Sequence, residues 1–376
     1  MAVVQNIIVF VLSLGILVLL HELGHFIFAR LFGVKVNRFS IGFGPVLGVI
    51  GRDKTTEYVI SAIPLGGYVD LSGERPDTAT GADYEFMSKP IWQRALIVSA
   101  GPLMNFLVGF VLFWIVYATG APEQLPYVGS VSENMPAQEA GILAGDRIVS
   151  IDGKAFDLWD DMAKYVHQHP GKELTVVLER KDRRLIVKLT PKLSEIPGLF
   201  GETKKVGLMG ITPDLEKVHD VRFGFSKGFV IAGRKVIDNT QRTVQALFLL
   251  FTGNRQVIKS IAGPIGIYKV TAVAWKVGFN VLLMIMGMLS ISLAVFNLLP
   301  IPILDGGHLL FLSIEAVLRR PVPEKVQEAM YNIGFGLLML LLTVVMFNDI
   351  KKVFFKKQGA VVNEEAQEQD SKAGQR

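Results

Sequence analysis

The sequence of 376 residues contains no cysteine, which removes disulfides, thiolate nucleophiles, Cys-ligated zinc and iron–sulfur clusters at once. Any metal must be held by imidazole and carboxylate, and six histidines are available to supply the imidazole. Charge is also scarce: Asp, Glu, Lys and Arg make up 19% of the chain, against roughly 25% in soluble globular domains. With 50% apolar residues and a mean hydropathy of +0.40, that shortfall points to a membrane rather than to a purely water-soluble enzyme. The formal charge of +5 is scattered through loops without a nucleic-acid-binding motif, so the lipid bilayer, not nucleic acid, is the expected partner.

Four stretches are long and apolar enough, at about 1.5 Å of rise per residue, to cross a hydrocarbon core of about 30 Å. They run from Ile7 to about Phe32, from about Ala95 to Thr119, from about Phe279 to Leu299, and from about Gly334 to Phe347, the last being short unless it begins near Ala329. No basic residue precedes the first apolar run, so a retained span is expected rather than a cleaved secretory signal. Lys and Arg gather between spans one and two (Lys35, Arg38, Arg52, Lys54, Arg75, Lys89, Arg94) and between three and four (Arg319, Arg320, Lys325). That distribution puts those loops in the cytoplasm and both termini outside it. Lys351, Lys352, Lys356 and Lys357 in the tail oppose this by the same rule; the earlier loops carry more weight.

From about Pro122 to Asp214 the composition is that of a water-soluble domain. Leu174, Val176 and Leu178 alternate with polar residues, as do Leu185, Val187 and Leu189, which predicts two strands joined by a polar turn at Lys181 to Arg184. Upstream, AGILAGDRIVSIDGKAF places a Gly-Asp turn before a strand at Arg147 to Ile151, then an Asp-Gly turn, then a helix from about Leu158 to Gln168. This run resembles a bacterial PDZ domain, which implies a pocket for an extended peptide added as a strand; a β-rich spacer without a ligand is the alternative. His167 and His169 end that helix and read as solvated surface residues. Residues 223–251 interleave Phe225, Phe229, Ile231 and Val236 with Lys227, Arg234 and Lys235, a pattern that fits an interfacial amphipathic helix or one packed on the insert. The last fifteen residues, rich in Glu, Gln, Lys and Ala, read as a disordered tail.

The first span contains HELGH at positions 21 to 25. Residues four apart share one face of a helix, about 6 Å apart along its axis, so His21 and His25 can direct ring nitrogens to one zinc ion with Glu22 beside them. Two imidazoles and a carboxylate inside an apolar helix need a metal or a wet cavity to compensate them; a buried cluster that merely joins helices is the alternative. A catalytic zinc site also needs a third protein ligand and an open position. The third span ends in FNLLPIPILDGGH, where Pro300 and Pro302 interrupt the helix and Asp305 follows just beyond the break. Asp305 is the expected third ligand, and His308 is its competitor. Asn297 can hold an unwound substrate backbone, with Pro300 and Pro302 shaping the cleft. Asn105 can do the same at membrane depth or, alternatively, hydrogen-bond between helices.

HELGH in a first span, NLLPIPILDGG in a later one and a PDZ-like insert between them together resemble the site-2 protease family of intramembrane zinc metalloproteases, of the bacterial kind. GPLMNF at Gly101 to Phe106, IPLGGYVDLSGE at Ile63 to Glu74 and SIAGPIGI at Ser260 to Ile267 extend the resemblance over nearly the whole chain. It implies zinc held by His21, His25 and Asp305, with Glu22 moving the proton of the attacking water to the leaving amide nitrogen. It also implies single-span membrane proteins as substrates, anti-sigma factors or signal-peptide remnants among them. The location implied is the bacterial inner membrane, multi-pass, with the PDZ-like domain on the extracytoplasmic side. The segments at residues 36–49 and 57–69 read as a hairpin at the cytoplasmic edge of the membrane. In the family that region resembles a sheet whose edge can pair with the unwound substrate; a plain membrane-anchoring loop is the alternative. One departure is that a better-known member carries two tandem PDZ domains, whereas this chain has room for one. A PDZ-bearing scaffold with a non-catalytic metal site, and a transporter built on a broken helix, are the competing classes.

The expected fold is thus a polytopic α-helical membrane protein with four transmembrane helices, an inserted α+β PDZ-like domain and a membrane-associated β-hairpin or sheet. Its expected divisions are a first membrane segment (1–120), the PDZ-like domain (121–215), an amphipathic helix and linker (216–278), a second membrane segment (279–350) and a tail (351–376).

Overall fold

The computed structural model describes residues 2–74, 79–181, 183–197, 203–214, 218–254, 257 and 262–373. Among them, four helices have the length and apolarity to cross a membrane: Ala2–Leu31, Ile91–Thr119, Phe279–Asn297 and Glu324–Lys351. These match the four expected spans. The fourth starts well before its apolar run, and its helix continues to Ala373. The polar tail is therefore helical as far as Ala373 where its composition suggested disorder, its last three residues lying outside those described, because Glu, Gln, Lys and Ala all favour the helix when they extend one already nucleated.

Contacts divide the chain into two compact units, Met1–Trp114 with Val230–Arg376, and Ile115–Phe229. The first unit begins with α1 (Ala2–Leu31), then β1 (Val36–Arg52) and β2 (Glu57–Leu71). β1 bends at Gly42 and Gly44, whose φ angles of +98° and +84° suit glycine. As a result Arg38 lies opposite both Asp70 and Glu57, and Ile41 opposite both Gly67 and Ile60, so the first half of β1 is flanked on both sides by β2. The second half pairs with Glu57–Ser61 and leaves Val46, Leu47, Val49 and Ile50 exposed. Asp53 closes the turn between the strands by accepting the Thr55 and Thr56 amides at 2.8 and 2.7 Å. Those amide bonds hold its carboxyl well below the usual range.

The unit continues with α2 (Ile91–Thr119), whose last turn belongs to the insert, and resumes within α5 (Gly224–Phe251). It then has α6 (Pro264–Val277), α7 (Phe279–Asn297), α8 (Asp305–Leu318) and α9 (Glu324–Ala373).

The second unit holds a four-stranded sheet in the order Lys154–Ala155, Arg147–Ile151, Leu174–Arg180, Arg183–Leu189, with the helices α3 (Pro136–Glu139) and α4 (Trp159–His167). Asp152 and Gly153, both at positive φ, make the tight turn of the first hairpin. Leu174, Val176 and Leu178 are fully buried, as alternation requires, and pack with Ile148, Ile151 and Met162. Leu185 is exposed, whereas Val187 and Leu189 on the same edge strand pack against and into the core. His169 hydrogen-bonds the Tyr165 carbonyl at 2.7 Å and stacks on the Tyr165 ring rather than standing free in solvent. The unit reaches beyond 121–215 because its ends are zipped together: Ala121–Gln124 pairs with Val218–Val221, and the Phe223 amide donates to the Tyr117 carbonyl at 3.0 Å.

Candidate metal centre

The site lies within the first unit, on α1, α2 and the break between α7 and α8. α1 places His21 and His25 one turn apart on one face, with their Nε2 atoms 3.2 Å apart and their rings edge to face. α2 crosses behind them. Gly24, inside HELGH, faces the Ala100 carbonyl so closely that a Cβ would overlap the α2 backbone, and a Cβ at Gly101 would overlap both histidine rings. The two helices therefore meet where both carry glycine.

That contact also fixes the rings. His25 Nδ1 lies 2.9 Å from the Ile97 carbonyl, so Nδ1 carries the proton and Nε2 keeps its lone pair. His21 Nδ1 lies 3.1 Å from Nδ2 of the Asn105 side chain, whose Oδ1 is buried without a partner; a half-turn of that amide puts the oxygen on Nδ1 as acceptor of its proton and leaves the lone pair on Nε2. Asn105 is fully buried. It sits behind His21, in the interhelical arrangement, and is not open to a substrate. The Ser290 hydroxyl donates to its backbone carbonyl at 2.8 Å.

The third group arrives from the helix break. α7 ends at Asn297, and the chain turns through Pro300 and Pro302 with short-range bonds such as Ile301 amide to Leu299 carbonyl at 2.7 Å. α8 then starts with Asp305 as its first residue. Gly306 and Gly307 let that first turn lie against the backbone of Leu298, Leu299, Ile301 and Pro302, where any Cβ would overlap. Asp305 Oδ2 is 3.1 Å from His21 Nε2 and Oδ1 is 3.5 Å from His25 Nε2. The three donor atoms lie within 4.8 Å of one another, and they form the one such group found among the described residues.

The donor set fits zinc. With the ring protons on both Nδ1 atoms, the two Nε2 lone pairs and a carboxylate converge on one point. Asp305 Oδ2 is buried and makes no hydrogen bond. A cation is what satisfies such a group, and two imidazoles with one carboxylate, leaving a fourth position open, is a catalytic zinc set.

Glu22 stands beside the three donor groups, and the backbone of Val69 in β2 hydrogen-bonds its carboxylate. Asn297 Nδ2 is 3.3 Å from His21 Nε2, so its amide borders the ligand cluster. Pro300 is exposed and Pro302 buried, the latter against Gly334 of α9. His308 is outside the cluster: it packs on Tyr331, with its ring nitrogens 3.4 and 3.5 Å from the Tyr331 hydroxyl. Sequence reasoning missed the supporting roles of Ile97 and Gly101. The only trace of them was the four-residue spacing of Gly101 and Asn105 on one face of α2.

The sequence matches peptidase family M50 over residues 9–341. It is 30% identical to protease RseP of Yersinia pestis, covering 94% of this chain and 100% of that protein. It is 35% identical to a Mesorhizobium japonicum protein named as a zinc metalloprotease, covering 91% and 97% of the two chains. The Yersinia alignment runs over 455 positions against 376 residues here, so that relative carries residues, on the scale of a small domain, that this chain lacks. Among solved structures, the PDZ domain of an SdrC-like protein of Listeria monocytogenes is similar, with 25% identity over 26% of this chain and 94% of that one, at a TM-score of 0.20. The chain, with its four apolar helices, therefore belongs to peptidase family M50 and is an intramembrane zinc metalloprotease.

Proposed function

We propose that His21, His25 and Asp305 hold the zinc and that Glu22 is the general base, in an enzyme that cleaves single-span membrane proteins within or near their spans. The observation that carries this is the convergence of two lone-pair imidazole nitrogens and the unpartnered Asp305 oxygen beside Glu22, inside a membrane helix. Zinc, when bound, supplies Lewis acidity to the scissile carbonyl and to water. Glu22 takes the proton from that water on its carboxylate and passes it to the leaving amide nitrogen. The Val69 amide keeps the Glu22 carboxylate oriented for both transfers. Asn297, at the border of the ligand cluster, hydrogen-bonds the extended substrate backbone, and Pro300 shapes the entry to it.

A substrate helix hides its peptide bonds, so it must unwind and be held extended. The exposed half of β1 offers an unpaired strand edge for that purpose. The insert lies on the extracytoplasmic side, a reading supported by the Lys and Arg residues of the two opposite loops. There its PDZ-like fold takes a peptide segment or screens out substrates that still carry bulky outer domains. Regulatory membrane proteins, such as those controlling sigma factors, and leftover signal peptides are the substrate classes. The name of the Salmonella typhimurium relative, regulator of sigma-E protease, supports the first of these.

The test is to purify the protein, measure zinc per chain and follow cleavage of a model transmembrane substrate. Glu22→Gln is expected to keep one zinc per chain and to lose cleavage by at least about 100-fold. Undiminished proteolysis in that variant, free of other proteases, would sink the mechanism.

A further inference from the structure

Arg94 and Glu315 are charged, 221 positions apart in sequence and paired inside the first unit. The guanidinium donates from Nη1 to Oε2 at 3.1 Å and from Nη2 to Oε1 at 2.5 Å, while Nε donates to the Lys89 carbonyl at 3.0 Å. Side-chain exposure is 6% for Arg94 and 17% for Glu315, so neither charge is tolerable without the other. Each also stands at the wrong end of its helix. Arg94 is in the first turn of α2, where the helix dipole disfavours a cation, and Glu315 is near the end of α8, where it disfavours an anion. Local helix stability therefore does not account for the pair.

Its position does. On α2, Arg94, Ile97, Gly101 and Asn105 follow one another at intervals of three, four and four residues, which puts them on one face. The last three set the two histidines: the Ile97 carbonyl holds His25, Gly101 admits both rings, and Asn105 holds His21. Arg94 extends the same face to α8, the helix that begins with the third ligand, Asp305. The first turn of α8 is held against the helix break by Gly306 and Gly307, and the far end, ten residues on, is held by Arg94. We infer that the Arg94–Glu315 pair is a positioning device that fixes α8 to the face of α2 carrying the histidines, so that Asp305 meets His21 and His25 at the distances a metal needs.

This rests on the assignment of His21, His25 and Asp305 as ligands, and the experiment separates the two. Zinc retention is measured by competition with a chelator of known affinity on the full chain in detergent, with cleavage and thermal unfolding alongside. Glu315→Gln and Arg94→Gln are each expected to weaken zinc binding about 10- to 100-fold, in the range seen when a group supporting a ligand is removed. Arg94→Lys keeps the charge but loses the fork, and is expected to fall between the parent and Arg94→Gln. The double variant Arg94→Glu with Glu315→Arg places each charge at the end of the helix that favours it, so it keeps the fold even where the single variants lose theirs. Recovery of zinc affinity in this double variant to within about threefold of the parent supports the inference. Folded single variants that hold zinc as tightly as the parent would overturn it, as would a folded double variant that binds no better than the singles. A parent chain that binds no zinc would instead overturn the ligand assignment itself.

Discussion

At Gly101 a single hydrogen stands between α2 and two imidazole rings. A Cβ there would overlap the His21 and His25 rings themselves, the two imidazoles proposed as ligands. Gly101→Ala is therefore expected to lower zinc affinity by at least about 10-fold while costing the rest of the fold little, which chelator competition and thermal unfolding measured together would show. An alanine variant with parental zinc affinity would mean that the rings are free to swing aside. Asn105 gives a sharper contrast. Asn105→Asp places a carboxylate behind His21 and keeps an acceptor for Nδ1–H, so zinc binding survives, whereas Asn105→Leu removes the acceptor and weakens it. The three groups that converge were legible in the sequence as candidate ligands, because HELGH and the residues after a proline-interrupted span carry their chemistry in their own types and spacing. The residues that hold them were not. An Ile contributes through its carbonyl and a Gly through its lack of a side chain, and neither type announces such a role. Asn105 was visible as an oddity at membrane depth, but only the fold shows that it faces a histidine instead of a substrate.

Among the elements, the same distinction separates local from distant partners. The Asp-Gly hairpin, the alternating strand at Leu174–Arg180 and the four spans follow from neighbours in sequence and appear where expected. The start of α6 does not. Gly263 precedes Pro264 with no side chain to cap the helix, and the Gly266 amide is bonded instead by Asp349, 83 positions away on α9, at 2.8 Å. No local pattern could reveal that. The Gly-Asp turn of the insert lies between these cases: the turn was legible, its partner was not. Asp146 is buried and accepts from Arg180 through both oxygens at 2.7 Å and from the Leu143 amide at 2.9 Å. Burial alone would raise its pKa, but these bonds outweigh burial and lower it. The folded value lies below that of the unfolded chain, so the stabilisation is complete above about pH 4–5 and is lost as the pH falls through the folded value. Asp146→Asn is expected to destabilise the insert by about 1–3 kcal/mol at neutral pH and to flatten its acid sensitivity. Hydrogen exchange at Ile148 and Leu178 in the full chain, followed from pH 7 down to pH 3, would report both effects. Unchanged exchange would mean that the pair is solvated in solution.

For the whole molecule the missing cysteines become an asset. Every introduced thiol is the only one in the chain, so its accessibility reports one position without background. The orientation argued from loop charge can then be read directly. Lys181 lies at positive φ in an exposed turn of the insert, and Lys54 and Arg320 lie in the two connections that loop charge assigns to the cytoplasm. Lys181→Cys is expected to react with a membrane-impermeant maleimide added to intact spheroplasts, whereas Lys54→Cys and Arg320→Cys should react only after the membrane is opened. The basic tail makes the outcome informative, since Lys351 and Lys352 pull toward the side opposite to that chosen by the early loops. Labelling of Lys54→Cys in intact spheroplasts would invert the assignment. It would turn the exposed β1 edge toward the outside and leave the insert in the cytoplasm, where it could not screen the outer domains of substrates. The proposed zinc chemistry would stand unchanged, because His21, His25 and Asp305 all belong to the membrane unit; only the side from which a substrate is sorted and released would be reversed.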